Sequence, residues 1–450
     1  MSIAVIGAGP AGTRAVETLL AHGLRPIWID EAPRSGGQIY RRPPANFCRS
    51  PETLYGFDAA KARRLHAAAD TVARLADYRP STLVWDIAEG SLQTAGPDGL
   101  GSVPFAATIL ATGATDRVIP LAGWTLPGVF TLGGAQVALK AQGVAVGRRC
   151  AFIGTGPLLY LVAYQYAKAG AHVAAVLDTA PTSAKRRALP QLLAGGGALA
   201  KGLYYVAWLR SRGIAMASGI EPLEILGASQ VRGLRFRDLA GGECEIAADA
   251  VAFGFGLRSE TQLADLAGCR FRFDPLNRQW LPETDEDGRA LGLGKVYLAG
   301  DGAGIAGADA AELAGERAAL ALLSDNGSAV PAARRQWIAR RLARSRTFRQ
   351  GLEQAFPFPD HLARRVADGT ILCRCEAVTA GELRASVAGI GAGELNRAKA
   401  YSRVGMGRCQ GRICGAAAAE ILAAALDGEI ASVGRLRGQP PVKPLPAGLL

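Results

Sequence analysis

Histidine is scarce in this 450-residue chain: there are four, at positions 22, 66, 172 and 361. They are far apart and form neither a Ser-His-Asp order nor an H-x3-H pattern, so no hydrolytic triad or histidine metal site is read from them. Long apolar runs are missing too. The nearest candidate, 188–200, is broken by glycines and followed by Lys201, which excludes a membrane-spanning helix. The first apolar run is too short for a secretory signal and has no basic segment before it. The expected compartment is therefore the cytoplasm, where cysteines stay reduced or bind metal. Lysine is rare, 8 against 43 arginines, so the net charge of +12 reads mainly as arginine-rich coding. One dense basic cluster occurs, at 334–349. There Trp337, Ile338, Leu342 and Ser345 share a helical face, leaving the arginines on the other, solvated or against an acidic partner. No groove-reading motif accompanies it, and nucleic acid is not an expected partner.

The length predicts two or three domains, and 49% hydrophobic with 20% charged residues is a globular balance. Glycine is abundant, 57 residues, which directs attention to tight turns and phosphate loops. The first such loop comes at once. The apolar run at 3–6 leads into Gly7-Ala-Gly9-Pro10-Ala11-Gly12, then a helical stretch over 13–22, a second strand at 26–29, and Asp30-Glu31. In this order Gly7 makes the turn, Gly9 lets the backbone approach a pyrophosphate, and Gly12 lets helix and strand pack closely. An acid about 20 residues on takes ribose hydroxyls, and spacing favours Asp30 over Glu31.

Three further segments narrow the cofactor. Gly36-Gly37-Gln38 follows the second strand, the strand at 107–113 ends in Thr112-Gly113, and that at 296–304 ends in Gly300-Asp301 before a helical run over 306–322. Together with Gly7, Gly9, Pro10, Ala11, Gly12, Asp30 and Glu31, these residues resemble the two-dinucleotide-domain flavoproteins of the glutathione- and thioredoxin-reductase-like group. The resemblance implies an α/β fold that binds FAD. It also implies that Asp301 bonds the ribityl chain and that the following helix aims its positive end at the flavin pyrimidine edge.

A second copy of the loop is damaged. The strand at 151–153 leads into Gly154-Thr-Gly156-Pro-Leu-Leu159, and the strand at 172–177 ends in Asp178. Leu159 stands where the third glycine belongs, so NAD(P)H binding is weakened. Gly154, Gly156 and Asp178 are candidates for a second nucleotide, NAD(P)H or another adenine nucleotide, or for an idle scaffold. Lys185, Arg186 and Arg187 are within reach of a phosphate there or form a solvated loop.

Four cysteines, Cys48, Cys150, Cys244 and Cys269, stand singly and read as small buried side chains. No C-x-x-C or C-x4-C pair lies beside the flavin motifs, which argues against dithiol–disulfide chemistry. The other four are organised: Cys373-Arg-Cys375, then 33 residues, then Cys409-Gln-Gly-Arg-Ile-Cys414. Two thiolate pairs at this separation read as a tetrathiolate site, open to zinc or to 2Fe-2S. A helix is expected over 379–400, opened by a capping box from Thr379 and Glu382, and Gly405-Met-Gly407 is placed to aim amides at sulfur. The segment resembles the bacterioferritin-associated ferredoxin module, which implies a 2Fe-2S cluster held by Cys373, Cys375, Cys409 and Cys414.

The flavoprotein body and this module together resemble the alpha (large) subunit of heteromeric FAD-dependent amino-acid dehydrogenases. These are the opine oxidases, hydroxyproline and proline dehydrogenases, and hydrogen cyanide synthase. The resemblance implies an electron-transferring FAD/2Fe-2S subunit. Its partner, a beta subunit similar to D-amino-acid oxidase, would oxidise the substrate C–N bond. Further implied options are a small ferredoxin-like 2Fe-2S gamma subunit, together with an FMN at a subunit interface. The competing readings are a self-contained NAD(P)H-dependent reductase and a non-catalytic iron–sulfur scaffold. The expected domains are an FAD-binding unit at 1–115 and 251–325, an NAD(P)-binding-like insert at 116–250, a basic helical linker at 326–369, a small helical 2Fe-2S domain at 370–428 and a proline-rich tail at 429–450.

Overall fold

Ile3–Ile6 is buried along its whole length and forms the centre of a five-stranded parallel sheet. The order is Val296–Leu298, Ala107–Leu110, Ile3–Ile6, Ile27–Ile29, Asp77–Arg79. The central strands are apolar without alternation because both faces are covered, one by helices and the other by the three-stranded sheet Leu83–Ala88, Ser91–Gly96, Gly99–Pro104. The computed structural model describes residues 2–44, 46–47, 49–88, 90–446 and 448; Cys48 lies outside the described residues.

The helix Pro10–Ala21 follows the first strand, and Ala308–Asp325 crosses it at close range. A Cβ added to Gly315 would lie 1.9 Å from the carbonyl oxygen of Ala11, so only glycine allows this approach. A second parallel sheet has the order Ala215–Ser218, His172–Asp178, Arg149–Thr155, Ala250–Phe255, Val129–Thr131. Here the structure departs from the expected boundary at 250. Ala250–Phe255 pairs in register with Arg149–Thr155 and is buried on both sides, so it completes the second sheet and does not begin the return to the first. The return is made just afterwards. Leu257–Ser259 pairs antiparallel with Ala114–Asp116, and this two-stranded ribbon carries the chain both out of and back into the first unit.

The basic segment forms the helix Ala332–Ala355. Ile338 and Leu342 are buried as expected, but Trp337 is exposed, with the Arg334 and Arg341 guanidiniums 4.4 and 5.5 Å from its ring centroid. Cation–π contact gives the indole a partner that core burial would otherwise supply. Arg334 and Arg335 pair with Glu316 and Asp287, so part of the positive charge is balanced within the chain.

The C-terminal module holds a short hairpin, Ile371–Cys373 with Val378–Thr379, and the helices Ala380–Ile390, Leu395–Ser402 and Cys414–Ala425. The capping box at Thr379 and Glu382 is formed. The helix expected over 379–400 is two helices. Gly391 ends the first in a left-handed conformation, and the Glu394 carboxylate caps the second by accepting from the Asn396 and Arg397 amides. The module shares one hydrophobic core with the second sheet, in which Leu372 and Ala417 belong to the same cluster as Ala151 and Phe253. A buried ion pair fixes the docking: Glu420 accepts from Arg117 at 3.1 Å and from Arg278 at 2.7 Å. Phe358 lies under Arg117, 3.5 Å from its guanidinium carbon.

Removing one member of such a buried network strands the rest. Glu420→Ala should lower stability by about 3–5 kcal/mol in urea unfolding, with loss of the module's near-UV signal before that of the sheets.

Candidate functional site

Backbone geometry at the first glycine loop leaves room for little but a ligand. Gly7 has φ +106°, and a Cβ there would meet the Ala111 carbonyl oxygen at 2.3 Å. A Cβ on Gly12 would lie 1.8 Å from the Gly7 carbonyl oxygen, and one on Gly37 2.8 Å from the Gly9 Cα. Gly9 and Gly37 thus face each other as a cradle without side chains. The helix opened by Pro10 and Ala11 has Gly9 at its N-cap and no capping side chain, so its first amides remain free for a phosphate.

Asp30 and Glu31 both line the cavity in front of this loop. The Asp30 carboxylate accepts from the Ala8 amide and, at 2.7 Å, from the Ala32 amide. Burial raises its pKa against those two hydrogen bonds. Glu31 is the freer carboxylate and pairs with Lys443 of the tail.

The cavity has a volume of about 1560 Å³ and reaches past Gln38, Thr112, Gly113 and Asp301 as far as the second glycine loop and the helix Ala332–Ala355. Asp301 uses Oδ1 to accept from the Ala306 and Gly307 amides, at 2.9 and 3.1 Å, just before the helix Ala308–Asp325. The Thr112 hydroxyl is turned away to donate to the Glu260 carbonyl at 2.6 Å. Gly12 and Gly300 do not line the cavity; a Cβ on Gly300 would lie 2.8 Å from that of Ala11, which makes it a packing position. Glycine cradle, free helix terminus and acids together fit a dinucleotide such as FAD. A residue without a sequence signal also serves this loop. Lys140 is almost fully buried and donates to the Ile39 carbonyl at 3.0 Å, and burial lowers its pKa to about 7.

At the second loop Gly154 has φ +144°, and a Cβ would lie 1.8 Å from the Gly254 carbonyl oxygen. Gly156 caps the helix Pro157–Lys168 and lines the cavity. Leu159 is fully buried in the core beside Phe152 and Val162. Asp178, a candidate for the second nucleotide, does not line the cavity. It is fully buried and already satisfied, accepting from Tyr160 Oη at 2.6 Å and the Ala180 amide at 2.8 Å, with Lys185 Nζ 2.6 Å away. Lys185 is thereby spent on Asp178. The buried Thr155 hydroxyl lines the cavity without a partner.

The four organised cysteines form two pairs. Cys414 donates to Cys373, and Cys375 and Cys409 contact each other in the same way. The Cys373 thiol is lowered to about 6 by Cys414 and by the amides of Gly405, Glu376 and Cys375. The Gly405 turn thus does aim an amide at sulfur. Among the described residues no three His, Cys, Asp or Glu gather on a single metal ion. All four thiols act on one another electrostatically, which fits a tetrathiolate site for a metal centre. Ile413, between Arg412 and Cys414, lines the cavity that Asp301 lines, so the cysteine loop forms part of its wall. Of the single cysteines, Cys150 and Cys269 are buried and pushed up to about 11 by burial, while Cys244 is half-buried.

Residues 1–336 match the pyridine nucleotide-disulphide oxidoreductase family, and residues 371–424 match the BFD-like [2Fe-2S] binding domain. The chain is 39% identical over 466 residues to one subunit of the opine oxidase of Agrobacterium tumefaciens (strain Ach5), covering 98% of this chain and 89% of the relative. It is 29% identical to hydrogen cyanide synthase subunit HcnB of Pseudomonas protegens, covering 98% and 96%. Among solved structures, L-proline dehydrogenase from P. horikoshii aligns over 100% of this chain and 79% of its own, with TM-score 0.71 and 20% identity. Thioredoxin reductase of T. acidophilum aligns over 73% of this chain and 99% of its own, with TM-score 0.54 and 22% identity.

Two outcomes follow from this geometry. Cys375→Ser should abolish the cluster's visible absorption and iron content while leaving FAD bound, checked by iron and flavin analysis of the same sample. Lys140→Met should gain stability over the parent most at pH 7 and below. Lys140 is neutral in the folded protein but protonated in the unfolded chain between its lowered pKa of about 7 and its ordinary 10.5. The parent therefore recovers about 1.4 kcal/mol per pH unit across that window, and unfolding curves at several pH values would show the advantage shrinking.

Proposed function

The chain belongs to the pyridine nucleotide-disulphide oxidoreductase family and, within it, to the group that contains the opine oxidase relative; from that membership we propose that it is the electron-transferring subunit of a heteromeric, dye-linked dehydrogenase. It is an FAD-dependent oxidoreductase with a 2Fe-2S domain. FAD takes up two electrons together and the cluster passes them singly, which suits electron transport. Gly7, Gly9, Pro10, Ala11, Gly37 and Gln38 would hold the pyrophosphate end of FAD, and Asp30 or Glu31 its ribose. Gly113 and Asp301 would flank the rest. Cys373, Cys375, Cys409 and Cys414 would hold the cluster. The observation that carries the reading is Ile413: it places the cysteine loop in the wall of the FAD cavity.

In this reading the substrate is an amino acid, imino acid or opine, and its C–N bond is oxidised on a partner beta subunit similar to D-amino-acid oxidase. No histidine lines the cavity among the described residues, and no base positioned for substrate is needed in this chain. An interfacial FMN and a ferredoxin-like gamma subunit complete the proposed assembly. The second nucleotide position would take an adenine nucleotide other than NAD(P)H, because Leu159 replaces the third glycine and is buried in the core. We place the FAD unit at 1–115 and from 256 to 325, and the protein in the cytoplasm, a reducing compartment. No helix of the described residues is long and apolar enough to cross a membrane.

The continuity of the cavity through both glycine loops favours the alternative of a self-contained NAD(P)H-dependent reductase, and one experiment separates the two. The isolated chain should leave its flavin band unchanged with NADH or NADPH and should not oxidise amino acids or opines with an artificial dye. Co-expression with a D-amino-acid-oxidase-like partner should restore dye reduction. Bleaching of the flavin by NADH in the isolated chain would overturn the proposal.

A further inference from the structure

The ribbon that returns the chain to the first unit does more than connect. From its middle onward, residues 258, 260 and 262 recur at every second position, and each grips the loop between Cys409 and Cys414. Arg258 Nε donates to the Arg412 carbonyl at 3.1 Å, Arg412 Nε donates to Glu260 Oε2 at 2.8 Å, and Gln262 Nε2 donates to the Gln410 carbonyl at 2.7 Å. The Glu260 backbone is held from the other side: its amide donates to the Gly113 carbonyl at 2.9 Å, and its carbonyl accepts from Thr112. One residue therefore touches the strand end on the FAD cavity with its backbone and the cysteine loop with its carboxylate. The Glu260 and Arg412 side chains are only 11% and 12% exposed. Solvent screening of their charges is weak there. Arg412 also donates to the Val442 carbonyl at 2.7 Å, which fixes the guanidinium between the loop and the tail.

We propose that Glu260 is a positioning residue for electron transfer: it locks the cysteine loop to the FAD-side strand end, and its charge, set against Arg412, tunes the reduction potential of the cluster. The inference rests on the FAD/2Fe-2S reading above and names the contact that joins the two centres. The sign follows from charge alone. An electron arriving on the cluster adds negative charge, so a nearby carboxylate disfavours reduction and a nearby guanidinium favours it. A purely structural ion pair would give no such opposition of sign, because either truncation would loosen the loop in the same way.

The test is a mediated, anaerobic potential titration of the isolated holoprotein, read by EPR of the reduced cluster, with FAD and iron content measured on each sample. Glu260→Gln keeps the size and an acceptor for Arg412. It should raise the cluster's midpoint potential by at least about tenfold in the reduction equilibrium, about 59 mV for one electron. Arg412→Gln should lower it. Glu260→Asp, which keeps the charge, should restore the parental value to within half of that shift. Gln262→Met, which removes a loop contact without removing charge, should leave the potential unchanged and guards against a general loss of docking. Shifts of the same sign in Glu260→Gln and Arg412→Gln, or no shift in either with cofactors retained, would overturn the proposal. No partner or substrate enters the titration, so its failure is distinct from failure of the heteromeric assignment.

Discussion

A single buried carboxylate holds the two halves of this protein in register. Glu420 lies on the helix that begins at Cys414, and it is shared by Arg117, which directly follows the strand Ala114–Asp116, and by Arg278. Burial pulls the Arg117 guanidinium down to about 10, and Glu420 is the first group to oppose that shift. A pair of this kind adds little net stability over an apolar packing of the same volume, but it is severe toward misplacement, since any other docking leaves a charge buried alone. The helix carrying the last cysteine is thereby set against the connection between the two sheets. Arg117, Ile413 and Asp301 accordingly line one cavity.

From that constraint the division of labour follows. The first sheet supplies a glycine cradle and a helix terminus, which are backbone devices and need no catalytic side chain. The C-terminal module supplies four thiols, of which Cys373 has its charge stabilised by Cys414 and by amides. The second sheet repeats four of the five parallel strands in the same order, with an edge strand, Val129–Thr131, that precedes its glycine loop; its acid is consumed internally and its loop lacks the third glycine. It buttresses the module as much as it shapes the cavity, because their side chains form one core.

Much of this is legible in the chain before any coordinates. Gly7, Gly9 and Gly12 can be assigned jobs because each job depends on the lack of a Cβ, and the close contacts of Gly7 and Gly12 bear out the geometric part of that reading. Thr379 and Glu382 form their capping box because both partners lie within one turn. What escapes is what depends on distant partners. Asp178 has the right position for a ribose contact, yet Tyr160 and Lys185 reach it first in space. Thr112 is expected to end its strand, yet the strand stops at Leu110 and the Thr112 hydroxyl turns to Glu260, far along the chain. Trp337 sits on the apolar face of a helical wheel, yet neighbouring guanidiniums hold it at the surface. Lys140 and Glu420 give no signal at all, since a lone charged residue in sequence does not announce its burial. The boundary expected at 250 is displaced because an apolar strand can end one sheet or begin another, and only pairing decides.

Electron exchange between FAD and the cluster inside one chain is the step on which the proposed function depends. It is tested most directly by photoreducing the FAD anaerobically in the isolated protein and following the cluster's EPR signal by freeze-quench over a range of protein concentrations. The cluster signal should appear at a rate independent of concentration. A rate that scales with concentration, or a cluster that stays oxidised beside reduced FAD, would contradict it.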